Sequence, residues 1–99
     1  MREYVFADFE NTVGTVFNVT LEGGGTYPLT LIEATPLPAG LWSGEKRAPF
    51  QLKFKGPGEV GYLPQGIHTL LHSEAGECPI GLVPVGREPD GILYQAIFN

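Results

Sequence analysis

The fold class follows from the stretch Phe50-Gln51-Leu52-Lys53-Phe54-Lys55, which is closed by Gly56-Pro57-Gly58. Three apolar side chains alternate with three polar ones, the two-residue period of a β-strand with one buried and one wet face. Half-buried strands of this kind are typical of antiparallel sheets. The two lysines on the wet face also suit an edge strand, because charge there discourages unwanted pairing.

Five more runs have strand character, and glycine or proline separates them. The predicted strands are Thr15–Leu21, Tyr27–Ala34, Gly66–His72, Cys78–Val85 and Ile92–Phe98. Tight turns are predicted at Gly23-Gly24-Gly25, Ser73–Gly76 and Asp90-Gly91. The fifth strand is nearly all apolar, so we expect it to be buried on both faces. Gly and Pro make up 23 of the 99 residues, and this density argues against a long amphipathic helix.

These patterns predict a single all-β domain over residues 1–99. We expect a small antiparallel β-sandwich or partly open β-barrel of six to seven strands. The apolar fraction of 42% is enough for one packed core. The predicted core residues are Phe17, Val19, Leu29, Leu31, Phe50, Leu52, Phe54, Ile67, Leu71, Ile80, Leu82, Leu93, Ile97 and Tyr94.

Charge and composition exclude several classes of partner. The net charge of −5 disfavours nucleic acid and anionic membranes, which attract basic surfaces. No apolar run approaches the roughly 18 residues of a membrane-spanning helix, and the first residues do not resemble a signal peptide. The single cysteine, Cys78, cannot form an internal disulfide. We therefore expect a cytoplasmic protein without membrane insertion, and assembly into a virion-like or exported structure stays open.

Catalytic and metal chemistry find little support in the sequence. On a strand, His68 and His72 lie about 13 Å apart, too far to share one metal ion. Cys78 lies neither on a strained turn nor at a helix N-terminus that would stabilise a thiolate, so we expect a buried, inert thiol. No helix follows Gly23-Gly24-Gly25, so this is not a phosphate-binding loop. We predict no catalytic residue, no metal site and no cofactor.

Two looser stretches, Thr35–Ala48 and Gly56–Gln65, are better candidates for function. The only Trp of the chain, Trp42, lies in the first of them. Trp and Arg are enriched among interface anchors, and loops on a rigid sheet often carry binding residues. Trp42 folding back over one end of the core is the structural alternative. The candidate binding residues are Trp42, Lys46, Arg47 and Tyr62.

Several runs in the second half resemble a family of small uncharacterised bacterial domains that end in a "VPVGR…YEAVFN"-like pattern. These runs are Leu52–Pro57, Leu63–His68, Leu82–Arg87 and Tyr94–Asn99. Gln95 stands where many relatives have Glu, so a general acid at this position is doubtful. Members of the family are similar to proteins encoded near phage-tail-like collar and fibre genes. The resemblance implies a structural or adaptor role and assigns it to no residue.

Two functions therefore remain open. The first is a non-enzymatic structural or protein-interaction module, part of a phage-tail-like or surface assembly, which binds a protein partner or associates with itself. It would present edge strands and the Trp42 loop. The alternative is a small carbohydrate-type ligand-binding domain in which Trp42, Tyr62 and Tyr94 stack on a sugar ring, which requires these aromatic side chains to be exposed.

Overall fold

The structure of the chain, a computed structural model, describes residues 6–21, 23–37, 49–58 and 63–98. One short helix, α1 (Ala7–Glu10), precedes six strands. The strands are β1 (Val16–Thr20), β2 (Thr26–Pro36), β3 (Phe50–Gly56), β4 (Gly66–His72), β5 (Gly76–Glu88) and β6 (Gly91–Phe98). All pairings are antiparallel, and the strands close a barrel in the order β1-β2-β3-β6-β5-β4. The predicted all-β antiparallel class is confirmed, with the barrel closed rather than partly open.

Two of the three predicted hairpin turns contain glycines with positive φ. Gly23 and Gly24 adopt φ of 94° and 101°, and Gly76 adopts 76°. Side chains rarely accept these angles, so the turns depend on glycine. The argument against a long amphipathic helix agrees with the described residues, in which the helix α1 has four residues.

Strand β3 is not an edge strand, contrary to the prediction from its lysines. It pairs with β2 on one side and β6 on the other. Lys55 instead reaches the β5–β6 hairpin, where its Nζ lies 3.0 Å from Glu88 and 2.7 Å from Asp90. The outer face of a closed barrel is wet on every strand, so charge on one strand face does not identify an edge.

Strand β5 has one buried face, so the expectation of burial on both faces was wrong. The buried side chains are Cys78, Ile80 and Leu82. The exposed residues between and after them are Pro79, Gly81, Val83 and Val85. Nothing among the described residues covers this outer face as a second layer, and the apolar residues on it are therefore left in contact with water.

Two core predictions on β4 were wrong. Ile67 and Leu71 point outward, whereas Leu70 and His72 are buried. Leu70 is the register partner of Cys78, and directly opposed residues share one face of a sheet. Because the Leu70-Leu71 doublet puts an apolar residue on each face, alternation alone could not choose between them.

Strand β6 is likewise shifted by one residue from the predicted pattern. Ile97 is exposed and Leu93 is half-buried. The inward residues are Ile92, Tyr94 and Ala96. Tyr94 lies opposite Phe54, and Ala96 lies opposite Leu52, so the core face of β3 determines which β6 residues turn inward.

The remaining predicted core is confirmed, and it is extended by side chains from outside the predicted strands. The predicted residues that are buried are Phe17, Val19, Leu29, Leu31, Phe50, Leu52, Phe54, Ile80, Leu82 and Tyr94. Phe9 of α1 closes one end of the barrel, with its ring centroid 5.9 Å from that of Phe50 and 5.7 Å from that of Phe98. We call this the helix end, and the opposite end, at Gly56 and Gly91, the tyrosine end.

Candidate functional site

The four candidate binding residues, Trp42, Lys46, Arg47 and Tyr62, lie outside the described residues. The residues that flank the first three of them are hydrogen-bonded to each other. Leu37 N–H donates to the carbonyl of Pro49 over 2.9 Å, which holds both ends of the first stretch together at the helix end. The second stretch follows Gly56, at the tyrosine end. The two stretches therefore start from opposite ends of β3.

Tyr94 cannot stack on a sugar ring. It is 0% exposed, and its hydroxyl accepts a hydrogen bond from Leu63 N–H at 2.8 Å. The same hydroxyl lies 2.8 Å from that of Tyr27. This part of the carbohydrate hypothesis was wrong, since a side chain that fills the barrel is closed to a ligand.

His72 serves as a structural cross-link. Its Nδ1 accepts backbone N–H bonds from Glu74 at 3.0 Å and Ala75 at 3.1 Å. Because Nδ1 accepts, the ring hydrogen lies on Nε2, which donates to Thr15 Oγ1 at 2.9 Å. The Phe17 ring centroid lies 4.5 Å from that of His72. The imidazole thus ties the β4–β5 turn to the segment before β1.

The other chemistry-bearing residues have structural surroundings. Cys78 is buried as predicted, with its Sγ 3.8 Å from the carbonyl of Gly76. His68 Nε2 lies 2.8 Å from the carbonyl of Pro64, to which it donates. Across the four described segments, no three His, Cys, Asp or Glu side chains converge where they could hold a metal ion.

A charged cavity lies at the tyrosine end, beside the β5–β6 turn. It has a volume of about 480 Å³ and is lined by Pro57, Gly58, Arg87, Glu88, Pro89 and Asp90. The hydrogen bonds that Lys55 donates to Asp90 and Glu88 raise the pKa of Lys55, and the bond from Lys55 lowers the pKa of Asp90. Glu88 and Asp90 both pair with Lys55 of β3. The two acids therefore have a structural role, because they tether β3 to the β5–β6 turn.

An apolar groove crosses the outer wall of the barrel over β4, β5 and β6, and it is the stronger candidate. Its floor is Gly81, where no described atom, apart from those of Gly81 and its two chain neighbours, lies within 4 Å of the position that a Cβ would occupy. Ile67 is the register partner of Gly81 and flanks it on β4. Val83 pairs with Gln95, so Ile97, two residues further along β6, flanks Gly81 on the other side. The groove has a volume of about 300 Å³.

The apolar side chains of the groove expose an unusually large fraction of their surface to water. Ile67 is 79% exposed, Ile97 55% and Val83 40%. The described residues that line it carry no charge, and they are Gln65, Gly66, Ile67, Gly81, Leu82, Val83, Gln95 and Ile97. An apolar centre with a polar rim is the usual composition of a protein-binding surface.

The rim beside Ile97 is ordered by side-chain hydrogen bonding. Gln95 Nε2 donates to Gln51 Oε1 on β3 at 2.9 Å. Lys53 of β3 lies opposite Gln95 in the register. Its positive charge therefore lies beside the groove and not among the residues that line it. A partner would therefore meet uncharged surface first and polar groups at its margin.

A family model described as "Domain of unknown function (DUF6916)" matches residues 4–98. The chain belongs to this family. The match confirms the expected membership of a small domain family of unknown function, while the phage-tail context implied by the resemblance stays a prediction. No curated protein and no solved structure matches the chain.

In this DUF6916 domain the groove was not predicted, because two of its walls were expected in the core. The strand pattern predicts Ile67 and Ile97 to be buried, since isoleucine in a strand is usually inside. The one available signal was Gly81 in the middle of an apolar strand, because an isolated strand glycine often marks a close approach of another chain.

Proposed function

We propose that the chain is a non-enzymatic protein-interaction module that binds a protein surface on the groove around Gly81. The supporting observation is the exposed, uncharged apolar groove formed by Ile67, Val83 and Ile97. Burial of this surface against an apolar partner would stabilise a complex by roughly 25 cal/mol for each Å² removed from water.

The closed barrel favours docking on its wall over the addition of a strand. Every strand pairs with two neighbours, so the barrel offers no full-length edge strand of the kind that the first hypothesis invoked. The shortest pairing, between β1 and β4, consists of Asn18 with Leu71 and Val19 with Leu70. The barrel interior is filled by large side chains such as Phe17, Phe54 and Tyr94. A filled barrel is a rigid support, and a rigid support reduces the entropy lost on binding.

The resemblance to proteins encoded near phage-tail-like collar and fibre genes supports a place in a phage-tail-like or surface assembly. Such assemblies are held together by contacts between folded subunits, for which a rigid barrel with an apolar wall is suited. Within the described residues, no helix is long and apolar enough to cross a membrane.

Site-specific photo-cross-linking in the source cells tests this proposal. A benzophenone amino acid replaces Ile67 in one version of the chain and Ile32 in a control. Ile32 is also an exposed isoleucine, at 41%, but β2 lies across the barrel from β5. We expect discrete protein adducts from position 67 and none of the same mass from position 32. Equal adduct patterns from the two positions would sink the proposal.

The adduct must also depend on the groove itself. The exchange Val83→Glu places a charge at the groove without touching position 67, and it should abolish the adduct. The partner is then identified by mass spectrometry, purified and mixed with the chain. Binding that Val83→Glu weakens and Ile32→Glu does not would reproduce the contact with pure components.

A further inference from the structure

Beside the Gly81 notch stands the most exposed large apolar side chain of the described residues, Ile67. We propose that the partner is a second copy of this chain, related by a two-fold axis that passes between Ile67 and Gly81. Each copy then inserts Ile67 into the notch at Gly81 of the other. This inference rests on the proposed function and specifies its partner.

The register of β4 and β5 makes this arrangement self-complementary. Ile67 and Gly81 are direct partners, and opposed residues of an antiparallel pair lie about 4.5–5.5 Å apart. A two-fold axis that lies in the plane of contact, parallel to β4 and β5 and midway between them, places Ile67 of each copy over Gly81 of the other. The projecting Ile67 of each copy therefore faces the Gly81 notch of the other. The same contact is made twice, which is the condition for an isologous dimer.

The residues on either side of this pair also fit the rotation. Thr69 pairs with Pro79 on one side, and continuing the register past Gly66 on the other side places Gln65 opposite Val83. The same two-fold axis therefore brings Thr69 of each copy over Pro79 of the other, and Val83 over Gln65. All four side chains are uncharged, so these contacts are compatible with the first.

Charge and area determine how strong this dimer is. Each copy carries a net charge of −5, so the two copies repel over distance although their contact is uncharged. The three strands form a wall only about 15 Å wide, and a stable interface buries roughly 800 Å² per partner. We therefore expect a weak dimer, with a dissociation constant between about 10 μM and 1 mM, that added salt strengthens by screening the repulsion.

Two variants test the contact from its two sides. Ile67→Asp removes the projecting side chain, and Gly81→Thr fills the notch that receives it. Gly81 has strand geometry without a positive φ and has room for a side chain, so Gly81→Thr should fold at least as well as the parent chain. Ile32→Asp on the opposite wall is the matched control.

Sedimentation equilibrium of the full chain over about 10 μM to 1 mM measures the result. We expect dimerisation that Ile67→Asp and Gly81→Thr each weaken about tenfold or more, and that Ile32→Asp leaves unchanged. A monomer throughout this range would overturn the inference, and so would a dimer that neither wall variant weakens. Thermal unfolding of each variant shows that a loss of dimer is not a loss of fold.

Cross-linking from position 67 separates this inference from the proposed function. In an equal mixture of ¹⁴N- and ¹⁵N-labelled chains, an adduct of two copies joined between position 67 and the peptide that contains Gly81 supports the dimer. An adduct with a different protein in the source cells, without a dimer adduct in the labelled mixture, overturns the inference and leaves the proposed function standing. The absence of every adduct overturns both.

Discussion

The hydroxyl oxygens of Tyr27 and Tyr94 lie 2.8 Å apart inside the barrel and form the centre of a continuous hydrogen-bond chain. Tyr27 donates to the carbonyl of Pro57 at 3.1 Å, and Leu63 N–H donates to Tyr94 at 2.8 Å. Because a carbonyl only accepts, the hydrogen between the two phenols belongs to Tyr94. The chain thus joins β2 and β6 to Pro57 and Leu63 at the tyrosine end.

Tyr94→Phe should destabilise the fold more than Tyr27→Phe. The first exchange leaves the Leu63 N–H buried without its acceptor, for which we expect a loss of about 1–3 kcal/mol in the free energy of unfolding. The second leaves the carbonyl of the half-buried Pro57 and the hydroxyl hydrogen of Tyr94 without their partner. A hydroxyl hydrogen can rotate whereas a backbone N–H cannot, so we expect the smaller loss of about 1 kcal/mol. Urea denaturation measures both.

The double variant is the control for the bond between the two phenols. Since both exchanges break the same bond, the double variant should lose less than the two single losses together. Strict additivity would mean that the two hydroxyls do not interact energetically, despite their distance.

The stability of the fold should fall in alkaline solution through Tyr27. Burial raises the pKa of the Tyr27 phenol. The unfolded chain releases this proton near pH 10, whereas the folded chain retains it to higher pH. The contribution of Tyr27 is therefore complete below about pH 10 and is lost as the pH rises above that value.

Urea denaturation at about pH 8 and pH 11 tests this dependence. We expect the unfolding free energy of the parent chain to decrease between the two pH values, and the decrease to be smaller in Tyr27→Phe. Equal decreases in the two proteins would assign the alkaline instability to other groups.

His72 should contribute more to stability than His68, although the two residues are four positions apart on the same strand. His72→Ala removes the acceptor of two backbone N–H groups and the donor to Thr15, and it leaves a cavity against Phe17. We expect a loss of about 2–4 kcal/mol. His68 makes one exposed bond to Pro64, so His68→Ala should change stability by less than about 1 kcal/mol.

The tautomer of His72 gives an independent readout. With Nδ1 as acceptor, the ¹⁵N spectrum of the folded protein should show the hydrogen of His72 on Nε2. A hydrogen on Nδ1 in the neutral ring would contradict the bonding pattern, and equal stability losses in the two alanine variants would contradict the structural role.

Alternation and turn residues were sufficient to predict the strands, because both are local properties of the chain. All six predicted strands exist, and β3 begins at the predicted Phe50. What failed was the choice of face on β4 and β6, where Leu70-Leu71 and Ile92-Leu93 are apolar doublets. There the face depends on the cross-strand partners, Cys78 and Phe54 among them, and pairing between distant segments cannot be read from one strand alone.

The candidate site was missed for the same reason. A buried isoleucine and an exposed one have the same local pattern, so Ile67 and Ile97 were assigned to the core. The sequence instead pointed to Trp42 and Tyr62, which lie outside the described residues. Only the closure of the barrel shows that β5 has a wet outer face and that Gly81 forms a notch in it.

Adding one methyl group at Gly91 and at Gly81 should have opposite effects on stability. A Cβ at Gly91 would lie 2.5 Å from the carbonyl oxygen of Gly56 and 3.1 Å from Cγ of Lys55. The backbone of two paired strands cannot yield easily, so we expect Gly91→Ala to cost about 1–3 kcal/mol. At Gly81 there is open space, and Gly81→Ala should be neutral or stabilise by up to about 1 kcal/mol, because alanine restricts the unfolded chain.

Thermal and urea unfolding at low protein concentration, where the proposed dimer is dissociated, compares the two variants. The low concentration matters because Gly81 also lies in the proposed contact, and a loss of dimer would otherwise mask the gain in the monomer. A stable Gly91→Ala variant would show that β3 and β6 are further apart at the tyrosine end than the structure places them. A strongly destabilised Gly81→Ala variant would show that the notch is closed in solution, and a closed notch could not receive Ile67.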